Sequence, residues 1–369
     1  MKRSALNQTP ADSSRGYSLV ELMVAITIGF FLIAAVISTF IWSTRNYNQD
    51  DSTGRQQENA RFALDAIAKD LRMAGFMFDV LDPNSVTNTV SGVADDCGPG
   101  YPAVSEYTGE TYTGDGDWLF ETKNLVESYV GDNVSGNYEC ITDVFSLQDN
   151  IDPEVLAIKR VRTPQETEVN GDIYLQATLD GQARLIALNY VSTPANASFT
   201  GATNWEYVTN IYYIKNVAAP LLDGNLGSDT NPTLFRKTLR GTNFSTFMDD
   251  ESDGIAEGIE HFHITWGIDR EQVVGGTIPD GQPNYYVSTV SPGDEMSGAV
   301  TAQIHVLVRS PNYDIDYVDD KTYTLGDLTI PPSAFSGKDK HYRRKVFTTT
   351  VKIRNRIISN NALSLIKNF

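Results

Sequence analysis

The chain has 369 residues, enough to bury a substantial core, and its net charge of -18 gives an acidic surface that repels nucleic acid and anionic lipid. With 41% hydrophobic residues, 18 Tyr and 16 Phe, it is too apolar to stay disordered. It contains no nucleophile elbow, no Walker-type phosphate loop and no H-E-x-x-H pair, and four histidines leave little scope for a hidden triad, so no enzyme is expected.

Residues 1–16 are polar, with Lys2, Arg3 and Arg15 against Asp12, and read as a basic leader. From Leu22 to Trp42 no residue is charged. As a helix rising about 1.5 Å per residue, that run spans roughly 30 Å, one membrane crossing. Positive charge ahead of it keeps the leader cytoplasmic and sends the rest to the periplasmic side. The run is too long for a secretory signal peptide, whose apolar core is roughly 7 to 15 residues. Glu21 stands at its start, where a carboxylate costs insertion energy and calls for compensation; snorkelling into the interface beside Arg15 is the plain alternative.

Past the span the pattern turns amphipathic. Ala60, Ala63, Leu64, Ile67, Leu71 and Ala74 recur at three- and four-residue spacing, with Arg61, Asp65, Lys69, Asp70 and Arg72 mostly between them. Gly75 offers a helix stop, and no proline occurs between residues 17 and 75. One helix over 17–75 is therefore expected, weakened at Gly29 and Gly54.

The run Gly16-Tyr17-Ser18-Leu19-Val20-Glu21-Leu22-Met23-Val24-Ala25-Ile26 resembles the class III leader junction of type IV prepilins and pseudopilins, with Tyr17 where phenylalanine is commoner. The segment from Gln57 to Phe76 resembles the PilW family of minor pilins and, less closely, the J-type minor pseudopilins of type II secretion. The resemblance implies that a prepilin peptidase cuts between Gly16 and Tyr17 and methylates the new amine. It also implies that Glu21 meets the N-terminal amine of a neighbouring subunit. A buried carboxylate does need a cationic partner in a low-dielectric bundle.

Residues 76–153 are rich in Gly, Asp, Asn, Thr and Ser and read as a loop-rich insertion. It holds both cysteines, Cys97 and Cys140, in no metal-binding spacing. One disulfide in an oxidising compartment is the economical reading, and two separate buried thiols the alternative. Residues 154–369 read as a β-rich head. Strands are expected at 155–161, 173–179, 184–191, 205–217, 233–239, 258–268, 300–309 and 345–353, where β-branched and aromatic residues gather between turn clusters. Phe262, Ile264 and Trp266 share one strand face, as do Phe347, Val351 and Ile353. The stretches 258–269, 308–310 and 342–355 again resemble PilW-type sequences.

His261 and His263, two apart on a strand, point the same way and suit a metal, but no third ligand is evident and a polar strand face is preferred. The acidic turn with Asp249 and Asp253 is a weak Ca²⁺ candidate without EF-hand spacing, and a solvated turn is preferred. No cofactor is otherwise expected. The basic cluster Arg343, Arg344, Lys345, Lys352, Arg354 and Arg356 either docks an acidic partner or pairs with its own neighbours.

The expected architecture is α+β and type IV pilin-like: a long N-terminal helix, transmembrane in its first half, on a β-rich head. By resemblance the function is that of a minor pilin which primes pilus assembly and sits in low copy near the tip. Implied partners are the prepilin peptidase, other minor pilins, the major pilin, the inner-membrane assembly platform and a possible tip adhesin. A J-type pseudopilin, or a membrane-anchored periplasmic binding or adhesion protein, are the alternatives. Nucleic acid is not an expected partner.

Overall fold

The proline-free stretch that follows Gly16 forms one helix, α1, Leu19–Met73, in a computed structural model of the chain. The structure describes residues 16, 18–78, 80, 85–88, 97, 103–104, 111–112, 118–120, 122, 125–138, 140–141, 143–162, 172–187, 199, 201–220, 226–242, 245–250, 254–269, 281–288 and 298–355. Contacts divide the chain into two units, Met1–Thr53 and Gly54–Phe369.

Within the first unit, side chains on every face of α1 are exposed, among them Leu22, Val24, Phe30, Phe31, Val36 and Trp42. Four of its hydroxyls are satisfied on the helix itself: Thr27 Oγ1 donates to the Val24 carbonyl at 2.9 Å, Ser38 and Thr39 to Ala35, and Thr44 to Phe40. No hydroxyl in this set needs water, which suits an apolar environment. The segment is long and apolar enough to cross a membrane.

In the second unit the elements run β1 Thr87–Asn88, β2 Ala103–Val104, β3 Thr111–Tyr112, β4 Val126–Val130, α2 Val134–Asn137, β5 Glu154–Val161, β6 Ile173–Ala177, β7 Ala183–Ala187, β8 Thr203–Pro220, β9 Leu226–Thr242, β10 Ser245–Asp250, β11 Ala256–Glu257, β12 Ile259–Ile268, β13 Tyr285–Val287, β14 Ala299–Arg309, β15 Tyr323–Leu325, β16 Leu328–Ile330 and β17 Arg344–Lys352. A nine-stranded sheet has the order β1-β7-β6-β8-β5-β4, with β9 on β8 and β10 and β11 on β9. A four-stranded sheet has the order β13-β12-β14-β17. The 76–153 region therefore contributes β1 and β4 to the large sheet.

Alternation sorts the strand residues between cores, because successive side chains leave a strand on opposite faces. In β5, Leu156 and Ile158 face a central core, while Val155, Ala157 and Val161 face a second one. The central core joins Ala60, Ala63, Ile67 and Leu71 of α1 to both sheets, including Phe262, Ile264 and Trp266 of β12 and Val351 of β17. The alanines let the helix sit close to the strands. Ile67 and Leu71 are fully buried, each contributing roughly 1.5–3 kcal/mol. α1 stops where the sequence suggests: Gly75 takes φ 70°, and the Phe76 N–H donates to the Met73 carbonyl at 3.0 Å.

The second core is closed by residues that precede β5, including Cys97, Trp118, Leu119 and Tyr138. Cys97 and Cys140 are joined as a disulfide, with Cα atoms 4.7 Å apart. The outer face of the small sheet is covered by the β15–β16 hairpin and by Phe335, which pack on Leu307. The hairpin turn is Gly326-Asp327. Gly326 has φ 64°, and a Cβ there would meet Thr265 Cγ2 of β12 at 2.6 Å, so a glycine lets the turn lie directly on the sheet.

Candidate functional site

Two sets of residues carry chemistry beyond core packing. The first lies at the start of α1. Gly16 is exposed, the Leu22 N–H donates to the Ser18 carbonyl at 3.0 Å, and Glu21 lies in the first helical turn. Tyr17 lies outside the described residues. In the sequence Glu21 is the one charged residue between Leu19 and Thr44. A helix apolar on all sides needs lipid or other helices around it, and a lone carboxylate there needs a cation.

The second set is a series of buried polar contacts in the head. Asp70 of α1, read from the sequence as part of the polar helix face, is 2% exposed. Its carboxylate accepts hydrogen bonds from Arg160 of β5 at 2.7 Å, and from Asn210 and Tyr212 of β8. Burial, then the adjacent Asp70 charge, push the Tyr212 phenol far above its ordinary range, so it stays a donor. Gln56 donates to the Arg343 carbonyl at 2.6 Å and Asn59 to the Glu257 carbonyl at 2.9 Å. Asn355 donates to the Ala74 carbonyl at the helix C-terminus at 3.2 Å. The second half of α1 is thereby tied to both sheets along its length.

Two members of the basic cluster, Arg343 and Arg344, pair with their own neighbours. Arg344 forks onto Glu260, with Nη2 donating to Oε1 at 2.9 Å and Nε to Oε2 at 2.5 Å, and its Nη1 donates to Asp319 at 3.1 Å. Tyr323 Oη donates to the same Asp319 at 3.0 Å. Arg343 donates to Asp314 at 3.0 Å. Arg356 lies outside the described residues.

His261 and His263 do share a face of β12, directed away from the central core. The sequence offered no third ligand; the structure brings one, because Glu154 at the head of β5 lies with them, the candidate ligand atoms all within 4.8 Å of one another. His263 donates through Nδ1 to Glu154 at 2.8 Å and through Nε2 to Asp327 at 2.9 Å. Ser128 donates to the other Glu154 oxygen at 2.8 Å. Burial opposes charge on His263, but Glu154 and Asp327 outweigh it and push its pKa up to about 9. Burial, then the charge on His263, push His261 down to about 3. Burial raises Glu154, with His263 and Ser128 acting against it. Of the two weak Ca²⁺ candidates, Asp249 is placed in β10 opposite Thr238, and Asp253 lies outside the described residues.

An apolar helix led by a lone glutamate, continued into a head-bound amphipathic half and followed by an antiparallel β-rich head, defines a type IV pilin-like protein. The chain matches the prokaryotic N-terminal methylation motif over residues 12–37 and the family described as Type IV Pilus-assembly protein W over residues 211–355. Both matches support a PilW-like minor pilin of the type IV pilus, to which the chain is similar over these residues. No curated protein and no solved structure matches it. The PilW match runs from inside β8 to just past β17, and so takes in His261 and His263 but not Asp70, the cysteines or Glu154.

Proposed function

We propose that this chain is a low-copy subunit that primes type IV pilus assembly and sits near the fibre tip, held in the bundle of pilin helices by its own apolar helix. The observation that carries this reading is Glu21, five residues after Gly16 and alone in an otherwise uncharged stretch. In a helical bundle its charge is compensated by the amine that cleavage before Tyr17 creates on a neighbouring subunit. Before extraction the leader faces the cytoplasm and the head the periplasm, where the Cys97–Cys140 bridge is stable. The partners are then the prepilin peptidase, the other minor pilins, the major pilin and the inner-membrane platform, whose ATPase supplies the energy.

Mass spectrometry of the mature N-terminus, combined with immunogold labelling of sheared fibres, tests this. The reading expects a chain starting at N-methylated Tyr17 and label at one fibre end. An intact leader in cells with an active peptidase, or label spread evenly along fibres, contradicts it.

A further inference from the structure

We propose that Glu154, His261 and His263 form a site for a divalent transition metal of the zinc class, which ties the two sheets of the head together. The inference goes beyond the assignment to the pilus and does not depend on it. Two imidazoles and one carboxylate are the borderline donors that zinc favours, whereas Ca²⁺ and Mg²⁺ require more oxygen ligands. All three side chains are buried, the candidate atoms lie within 4.8 Å of one another, and ligands on a tetrahedral zinc are separated by roughly 3.3 Å, given bonds of about 2.0–2.1 Å. Closing that gap takes side-chain rotation and no change of register.

Three features favour a ligand over a bare ion pair. His261 is 3% exposed and its Nε2 has no hydrogen-bond partner, a cost that pairing between His263 and Glu154 leaves in place. The surrounding shell is already arranged as it is around metal-bound histidines. With Nδ1 of His263 on the metal, its Nε2–H still donates to Asp327, at 2.9 Å, and Ser128 still holds the second oxygen of Glu154, at 2.8 Å. The cluster also borders solvent on one side, because Asp327, the partner of His263, has a side chain 61% exposed on the β15–β16 turn. On binding, the metal takes the place of the Nδ1 proton of His263, which passes to solvent.

Glu154 belongs to β5 of the large sheet and the histidines to β12 of the small one. The metal would therefore bridge the sheets that share the central core with α1.

The test uses the full chain in detergent, stripped with EDTA, freed of chelator and titrated with zinc chloride against a chromophoric competitor, with excess Ca²⁺ present to occupy acidic surface turns. The expected result is one zinc per chain at submicromolar affinity. His261→Ala should weaken binding by about 100-fold or more, and Asp327→Ala, which removes the acceptor that orients His263, by roughly 10- to 100-fold. If His261→Ala fails to fold, Asp327→Ala decides alone, since the Asp327 side chain is largely exposed. No stoichiometric zinc in the parent chain, or parental affinity in either folded variant, overturns the proposal.

Discussion

Asp70 in the last turns of α1 and Arg160 in β5 meet at 2.7 Å inside the head, 90 residues apart in the chain and both nearly excluded from water. With Asn210 and Tyr212 on the other carboxylate oxygen, the contact fixes where along the large sheet the helix lies. Removing one partner of a buried pair strands the other. Asp70→Ala should therefore destabilise the head by roughly 3–5 kcal/mol, and Asp70→Asn, which keeps an acceptor oxygen, by less. Urea denaturation of the two variants beside the parent checks the order; a loss below about 1 kcal/mol for Asp70→Ala would show the site to be solvated.

The Cys97–Cys140 bridge closes a loop of 43 residues' separation over the second core. Cys97→Ser/Cys140→Ser should lower stability by roughly 4 kcal/mol, and the loss should appear as an earlier melt in non-reducing conditions only, because reductant brings the parent down to the double variant. Thermal melts with and without reductant measure this, and equal melts without reductant contradict it.

Arg344 is fully buried among Glu260 and Asp319, whose charges push its own pKa up against the effect of burial. Arg344→Ala leaves two buried carboxylates and should cost roughly 3–5 kcal/mol; Arg344→Lys, which cannot fork onto Glu260, should also be clearly less stable than the parent. A double-mutant cycle with Glu260→Gln should give a favourable coupling of at least about 1 kcal/mol. A coupling near zero would mean that Arg344 acts through packing on Phe335, which its guanidinium covers at 3.6 Å, and not through charge.

What the sequence made legible was local. Helix extent followed from the missing prolines and Gly75, and the strands at 155–161, 205–217, 258–268, 300–309 and 345–353 from alternating apolar residues that do line the cores. Periodicity names the face on which a residue lies but not what comes to cover that face. Asp70 looked like a solvated charge because its partners lie 90 to 142 residues downstream. His261 and His263 looked like a polar strand face because Glu154 arrives from 109 residues upstream of His263, and Asp327 from a hairpin 64 residues beyond it. Loop-like composition between 76 and 153 likewise hid β4, whose Val126 reaches the central core.

The account turns on Glu21, and the most direct measurement is the amount of this protein in sheared pili, with pilus number per cell, in a strain carrying Glu21→Ala. Removing a carboxylate from the start of a membrane helix lowers no barrier to leader cleavage and makes insertion easier, so abundance and processing should match the parent. In the fibre the sign reverses, because the neighbour's amine loses its partner in a low-dielectric bundle, at a cost of several kcal/mol. The account predicts a processed protein of parental abundance in the membrane, nearly absent from sheared fibres, with fewer pili per cell. Parental pilus numbers containing parental amounts of the Glu21→Ala protein would contradict it, and would make the helix an anchor alone.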